Sequence, residues 1–70
     1  MANWNGKSSH VDTMSYKYDT EDLVVTFKRG GVYKYSGVPE EIWDEMLNAE
    51  SVGKALNEHI KGVYASEKIS

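Results

Sequence analysis

The sequence predicts an α+β domain, a three-stranded antiparallel β-meander followed by two helices packed on one face of the sheet. Three observations carry this. Met14, Tyr16 and Tyr18 alternate with Ser15 and Lys17, the period of a half-buried strand. After Gly37-Val38 the period changes, and Ile42, Trp43, Met46, Leu47 and Ala49 recur at helical spacing. The chain has 70 residues and no cysteine, which makes one domain near the lower size limit for a single core, without a disulfide to support it.

Taken in order, residues 1–7 are polar and read as a flexible lead-in, although Trp4 is large for a tail. Ser9 to Tyr18 is the first strand and Asp19-Thr20-Glu21-Asp22 a polar turn. Leu23 to Lys28, β-branched and apolar, is the second strand. Arg29-Gly30-Gly31 turns the chain into a third strand, Val32 to Ser36. The four-residue first loop sets Tyr18 opposite Leu23, Tyr16 opposite Val25 and Met14 opposite Phe27. A three-residue second loop places Tyr33 and Tyr35 with Val25 and Phe27, because loop length fixes which side chains share a face. The core face is then Met14, Tyr16, Tyr18, Leu23, Val25, Phe27, Tyr33 and Tyr35.

Pro39 suits the first position of a helix whose acidic start, Glu40, Glu41 and Asp44, complements the positive end of the helix dipole. Ser51 is the N-cap expected for a second helix carrying Val52, Ala55, Leu56, His59 and Ile60. Gly62 ends it, Val63-Tyr64 can dock back, and residues 65–70 are expected to fray. The folded unit is residues 8–64.

Composition narrows the function. A net charge of −3 argues against affinity built on neutralising many phosphates. The start of the chain lacks the apolar run of a signal peptide, and no stretch approaches the ~20 apolar residues of a membrane span. The cytoplasm is the expected location. His10 and His59 are the only histidines, and no ligand pair has the spacing of a zinc site, so no metal and no cofactor are expected. No nucleophile elbow or phosphate-binding glycine loop is present. Glu40, Glu41, Asp44 and Glu45 read as a solvated helix start rather than an acid/base pair. No catalytic residue is assigned, and an enzyme is not expected.

Three features point to binding. Tyr33 and Tyr35 either pack in the core with their hydroxyls at a rim, or form a stacking platform for bases. The start of the second helix offers free N–H groups, the Ser51 hydroxyl, an approach unobstructed by a side chain at Gly53, and the charge of Lys54. Glycine inside a helix costs about 1 kcal/mol against alanine, so Gly53 calls for a reason, either close helix packing or a bound anion. Lys17, Lys28, Arg29 and Lys34 form a basic face on the outer side of the sheet, against five acids and no base over residues 37–50. That face reads as solvated, as a surface for an anion, or as one that meets the acidic helix of a second copy.

Tyr33-Lys34-Tyr35, the following Gly37-Val38-Pro39, and Ala49-x-Ser51-x-Gly53 resemble the KTSC domain. Ser8-Ser9 and the Gly30-Gly31 turn fit the same pattern, so the resemblance runs from about Ser8 to Tyr64. It implies a small non-catalytic domain, found at the C-terminus of some lysyl-tRNA synthetases and as stand-alone bacterial, phage and prophage proteins. RNA binding has been suggested for that family, and no catalytic residue is carried over from it.

The resulting expectation is a non-catalytic, homo-oligomeric module for a nucleotide-like ligand, a nucleotide signal or a short unpaired nucleic acid. Tyr33, Tyr35, Ser51, Gly53 and Lys54 are its candidate binding residues. In a phage protein, sequestering a host defence signal would be one use. The alternatives are an RNA-binding domain, or a protein-interaction module that docks on or inhibits a host protein through an apolar patch around Trp4, Val24 and Trp43.

Overall fold

Five short antiparallel strands lie in chain order across one sheet, and two helices are inserted between the fourth and the fifth. The computed structural model describes residues 2–6 and 8–70. The elements are β1 (Ala2–Trp4), β2 (Val11–Lys17), β3 (Asp22–Phe27), β4 (Val32–Tyr35), α1 (Glu40–Leu47), α2 (Val52–His59) and β5 (Ser66–Lys68).

The sheet thus has five strands where three were expected. The additional two are its edges, and they lie in the expected lead-in and tail. Ala2, Asn3 and Trp4 pair with Tyr16, Ser15 and Met14, while Ser66, Glu67 and Lys68 pair with Tyr35, Lys34 and Tyr33. Met1 and Lys7 of the expected lead-in lie outside the described residues. Trp4 is half-buried against the core, and its indole lies over Gly6 so closely that a Cβ there would sit 2.8 Å from the ring.

Both central hairpins keep the expected faces but slide by two residues. Tyr16 faces Leu23 and Met14 faces Val25, while Val25 faces Tyr33 and Leu23 faces Tyr35. The cause is where the loops begin. The first runs from Tyr18 to Glu21, closed by the Glu21 N–H donating to the Lys17 carbonyl at 2.8 Å, with Glu21 in the left-handed region at φ 59°. The second begins at Lys28, because Phe27 and Gly31 already close the pair and Gly30 takes φ 101°. Side chains alternate with period 2, so a two-residue slide leaves every face intact. Tyr18 is the one casualty: expected in the core, it sits in the first loop, 47% exposed, with its ring edge-on to Tyr16.

The helices cover the face carrying Met14, Tyr16, Leu23, Val25 and Tyr35. Pro39 has extended backbone (ψ 149°) and is the N-cap of α1 rather than its first helical residue. Trp43 and Met46 bury the stripe of α1, and Leu47, expected in that stripe, is 40% exposed. In α2 the Ser51 hydroxyl accepts from the Lys54 N–H at 3.3 Å, as expected of its N-cap. His59 is half-exposed and lies 3.8 Å from Glu45 of α1. Among the described residues no helix is long and apolar enough to cross a membrane.

Tyr16 is the hinge of the core. It is fully buried, stacks on Trp43 at 5.3 Å, and donates its hydroxyl hydrogen to the Val38 carbonyl at 2.5 Å. Burial first, then the Glu21 and Glu40 carboxylates, hold its phenol above the usual value, and burial does the same for Tyr35. A phenol whose pKa is raised by folding contributes stability that is complete below its unfolded value, near 10, and is lost as pH rises through the folded value. Urea melts of the parent are therefore expected to show a loss of stability that begins above pH ~10. Tyr16→Phe is expected to cost about 1–3 kcal/mol at neutral pH, because the Val38 carbonyl is left without its donor, and to flatten the alkaline loss.

Candidate functional site

A cleft of about 780 Å³ opens between the β3–β4 hairpin, the Ser9–Val11 segment and α2. Tyr33, Tyr35, Ser51, Gly53 and Lys54 all line it. The sequence named these five from two separate signals, and the fold brings them together on one cleft, with the start of α2 beside Ser8 and His10.

The floor is aromatic and aliphatic. Phe27 and Tyr33 meet edge-to-face at 5.6 Å. Tyr35 is 5% exposed, and its hydroxyl has no hydrogen-bond partner among the described residues. The one fully enclosed side-chain atom without a partner among those residues is Trp43 Nε1, in the core, so the Tyr35 hydroxyl keeps an opening, and the cleft is the surface Tyr35 lines. Tyr35 is buried in the core, Tyr33 is half-buried against it, and both line the cleft.

The rim is cationic. Arg29 reaches it from the hairpin tip, Lys54 from the first turn of α2, and Lys61 from just past its last turn, where the ammonium lies 5.0 Å from the centre of the Phe27 ring. Lys68 stands opposite Tyr33 in the β4–β5 pairing. No carboxylate lines the cleft among the described residues, although the chain as a whole carries a net −3. Such sorting of charge focuses potential into the cleft.

Sequence reasoning missed His10, Asn57 and Lys61, all of which line the cleft. Lys54, Asn57 and Lys61 are spaced by three and four, the interval that places residues on one side of a helix. His10 has no comparable signal. It is set by Ser8, whose hydroxyl accepts from the His10 and Val11 N–H groups at 3.2 Å each. A Cβ built on Gly53 would meet the Ser8 hydroxyl at 3.4 Å and the His10 ring at 3.6 Å.

The basic sheet face does not form as a unit. Arg29 belongs to the cleft. Lys17 and Lys34 lie on the uncovered face, where Asp22 and Glu67 stand directly opposite them on adjacent strands. Lys28 is exposed at the hairpin end. The apolar patch weighed for a host protein is likewise dispersed. Trp43 is fully buried, Trp4 is half-buried against the core, and Val24 lies half-buried on the opposite face.

Residues 7–64 match the family model of the KTSC domain. The chain belongs to the KTSC domain family. It is 34% identical over 64 residues to a lysine–tRNA ligase of Nostoc punctiforme, an alignment covering 91% of this chain and 11% of that one. The chain therefore spans about a ninth of the length of the curated ligases it matches. It is also 33% identical over 55 residues to an uncharacterized protein of Stutzerimonas stutzeri, covering 79% of this chain and 78% of that one. The crystal structure of a KTSC domain protein from Yersinia pestis superposes with a TM-score of 0.93 at 30% identity, covering 99% of this chain and 97% of its own. A KTSC domain thus occurs both within a large synthetase chain and as most of a short one.

Proposed function

We propose that this KTSC domain is a non-catalytic binding module whose cleft takes a nucleotide-like ligand, anionic at one end and flat at the other. The observation that carries the reading is the meeting of Arg29, Lys54 and Lys61 over an aromatic floor, with no carboxylate on the lining. Cations supply charge, and Tyr33 supplies a surface for stacking, worth about 1–3 kcal/mol per base. A free nucleotide signal and the unpaired end of an RNA share this chemistry. The similarity to part of lysine–tRNA ligases supports the second source, and sequestering a signal in the cytoplasm is a use of the first. The test is calorimetric titration with a nucleoside 5′-monophosphate, the matching nucleoside, inorganic phosphate and a short single strand. Binding of phosphorylated forms alone supports the reading. A parent protein that binds none of them sinks it.

Self-association is part of the same proposal. The core is small, and half-buried Val24 and Val32 lie on the sheet face opposite the helices, which no described element covers. Light scattering is expected to give a mass above one chain at high micromolar concentration, and a value of 7.9 kDa would rule it out.

A further inference from the structure

We infer that the cleft is built for a ligand with two anionic groups set apart by a sugar that carries a flat ring, the chemistry of a 5′-phosphorylated dinucleotide rather than of a mononucleotide. This rests on the nucleotide-binding reading above and adds the size and polarity of the ligand. Two cations stand at opposite ends of the wall formed by α2. Lys54 lies in its first turn and Lys61 just beyond its end, so their backbones are set apart by most of the helix, roughly 8 Å of rise from Lys54 to His59 at about 1.5 Å per residue. Lys61 is held over the Phe27 ring, which fixes one charge beside the β3–β4 hairpin, while Lys54 enters the cleft from the other end of α2. Asn57 lies between them on the same wall, with an amide that both donates and accepts. Tyr33 and Tyr35 line the cleft with them, and the hydroxyl of Tyr35, a residue 5% exposed, has no hydrogen-bond partner among the described residues. Arg29 faces the helix from the hairpin tip and closes the third side.

Size agrees with this. The cleft's 780 Å³ lies in the upper part of the range of about 300–1,000 Å³ seen for small-molecule sites. The lining sets the upper limit: Arg29, Lys54 and Lys61 are its cations among the described residues, so a longer strand gains no further ion pair inside the cleft.

The experiment is a calorimetric length series with the full chain: a 5′-mononucleotide, a 5′-phosphorylated dinucleotide and a phosphorylated hexanucleotide. Each is titrated into the parent, Lys54→Ala, Lys61→Ala, Lys61→Gln and the double alanine variant, with folding checked by circular dichroism. The dinucleotide is expected to bind at least tenfold tighter than the mononucleotide, with no further gain for the hexanucleotide. Each single lysine variant is expected to bring the dinucleotide down to about the mononucleotide's affinity. Equal affinities for the mono- and dinucleotide in the parent would overturn the inference while leaving nucleotide binding intact. A steady rise with length would overturn it in favour of an open strand-binding groove. Failure of every nucleotide to bind the parent would remove the underlying reading as well.

Discussion

Trp43→Ala is expected to lower the melting temperature of the protein by roughly 12 °C or more, at about 4–8 °C per kcal/mol for a domain of this size. Trp43 is fully buried on the inner side of α1 and stacks on Tyr16 with their planes 10° apart. Truncating a buried tryptophan costs about 3–5 kcal/mol, through lost transfer energy and the cavity left behind. A domain of 70 residues has a total of roughly 3.5–10 kcal/mol, at about 0.05–0.15 kcal/mol per residue. One side chain thus accounts for a large part of the whole, and the loss spreads, because Tyr16 ties the sheet to the Val38 carbonyl ahead of α1. Trp43→Phe separates packing from polarity. The indole N–H is buried without a partner among the described residues, which costs about 1–3 kcal/mol on its own. Phenylalanine loses volume but removes that donor, so it is expected to be far milder than alanine. Thermal melts followed by circular dichroism check both variants. A Trp43→Ala protein that melts within a few degrees of the parent would show that this core does not depend on the Tyr16–Trp43 stack.

The central meander and both helices were legible because their periodicities are those of a sheet and a helix each buried on one side. The edge strands were not, and for a physical reason. Ala2–Trp4 and Ser66–Lys68 are three residues each, too short for alternation to show, and β5 is exposed throughout. They are strands because β2 and β4 offer them unpaired backbone groups, which is a property of the tertiary structure. Register failed by two residues at both hairpins for a related reason. Asp22 looks like a turn residue but pairs with Lys17, and the left-handed position falls on Glu21, a residue type that seldom announces it. The site was half visible. Glycine and serine in a helix start drew attention to Ser51, Gly53 and Lys54, and the tyrosine pair was conspicuous by itself. Their meeting was not readable, since it depends on how α2 crosses the sheet. Arg29 was seen as an edge of the wrong surface, and His10 depends on a hydroxyl-closed turn at Ser8 that carries no chemical label.

Lys54→Glu is expected to stabilise the fold and weaken binding at the same time. Lys54 is the third residue after the N-cap Ser51, and the serine hydroxyl already accepts from its N–H. Glutamate at that position completes a capping box with the serine and faces the positive end of the helix, whereas lysine opposes the dipole. The reversal is therefore expected to gain about 0.3–1 kcal/mol of stability. Gly53 beside it is a second local concession, since glycine costs about 1 kcal/mol against alanine in a helix. Packing does not demand it, because an alanine Cβ would make ordinary contacts with Ser8 and His10. Two unfavourable choices in one turn, both on the cleft, are what the proposed binding site would impose on a helix start. In the cleft the same reversal brings a negative charge to a phosphate. At about 4 Å a unit pair is worth between ~1 kcal/mol in water and ~4 kcal/mol near a protein surface, so affinity for a nucleoside monophosphate is expected to fall at least tenfold. Gly53→Leu is the companion. Its longer side chain must turn into the cleft or push on His10, at an overpacking cost of about 1–3 kcal/mol, and it is expected to block the ligand in either case. Melting curves and titrations on the two variants give opposite signs for Lys54→Glu, a higher midpoint beside weaker binding. A Lys54→Glu protein that melts lower than the parent and binds equally well would show that this turn serves the fold alone.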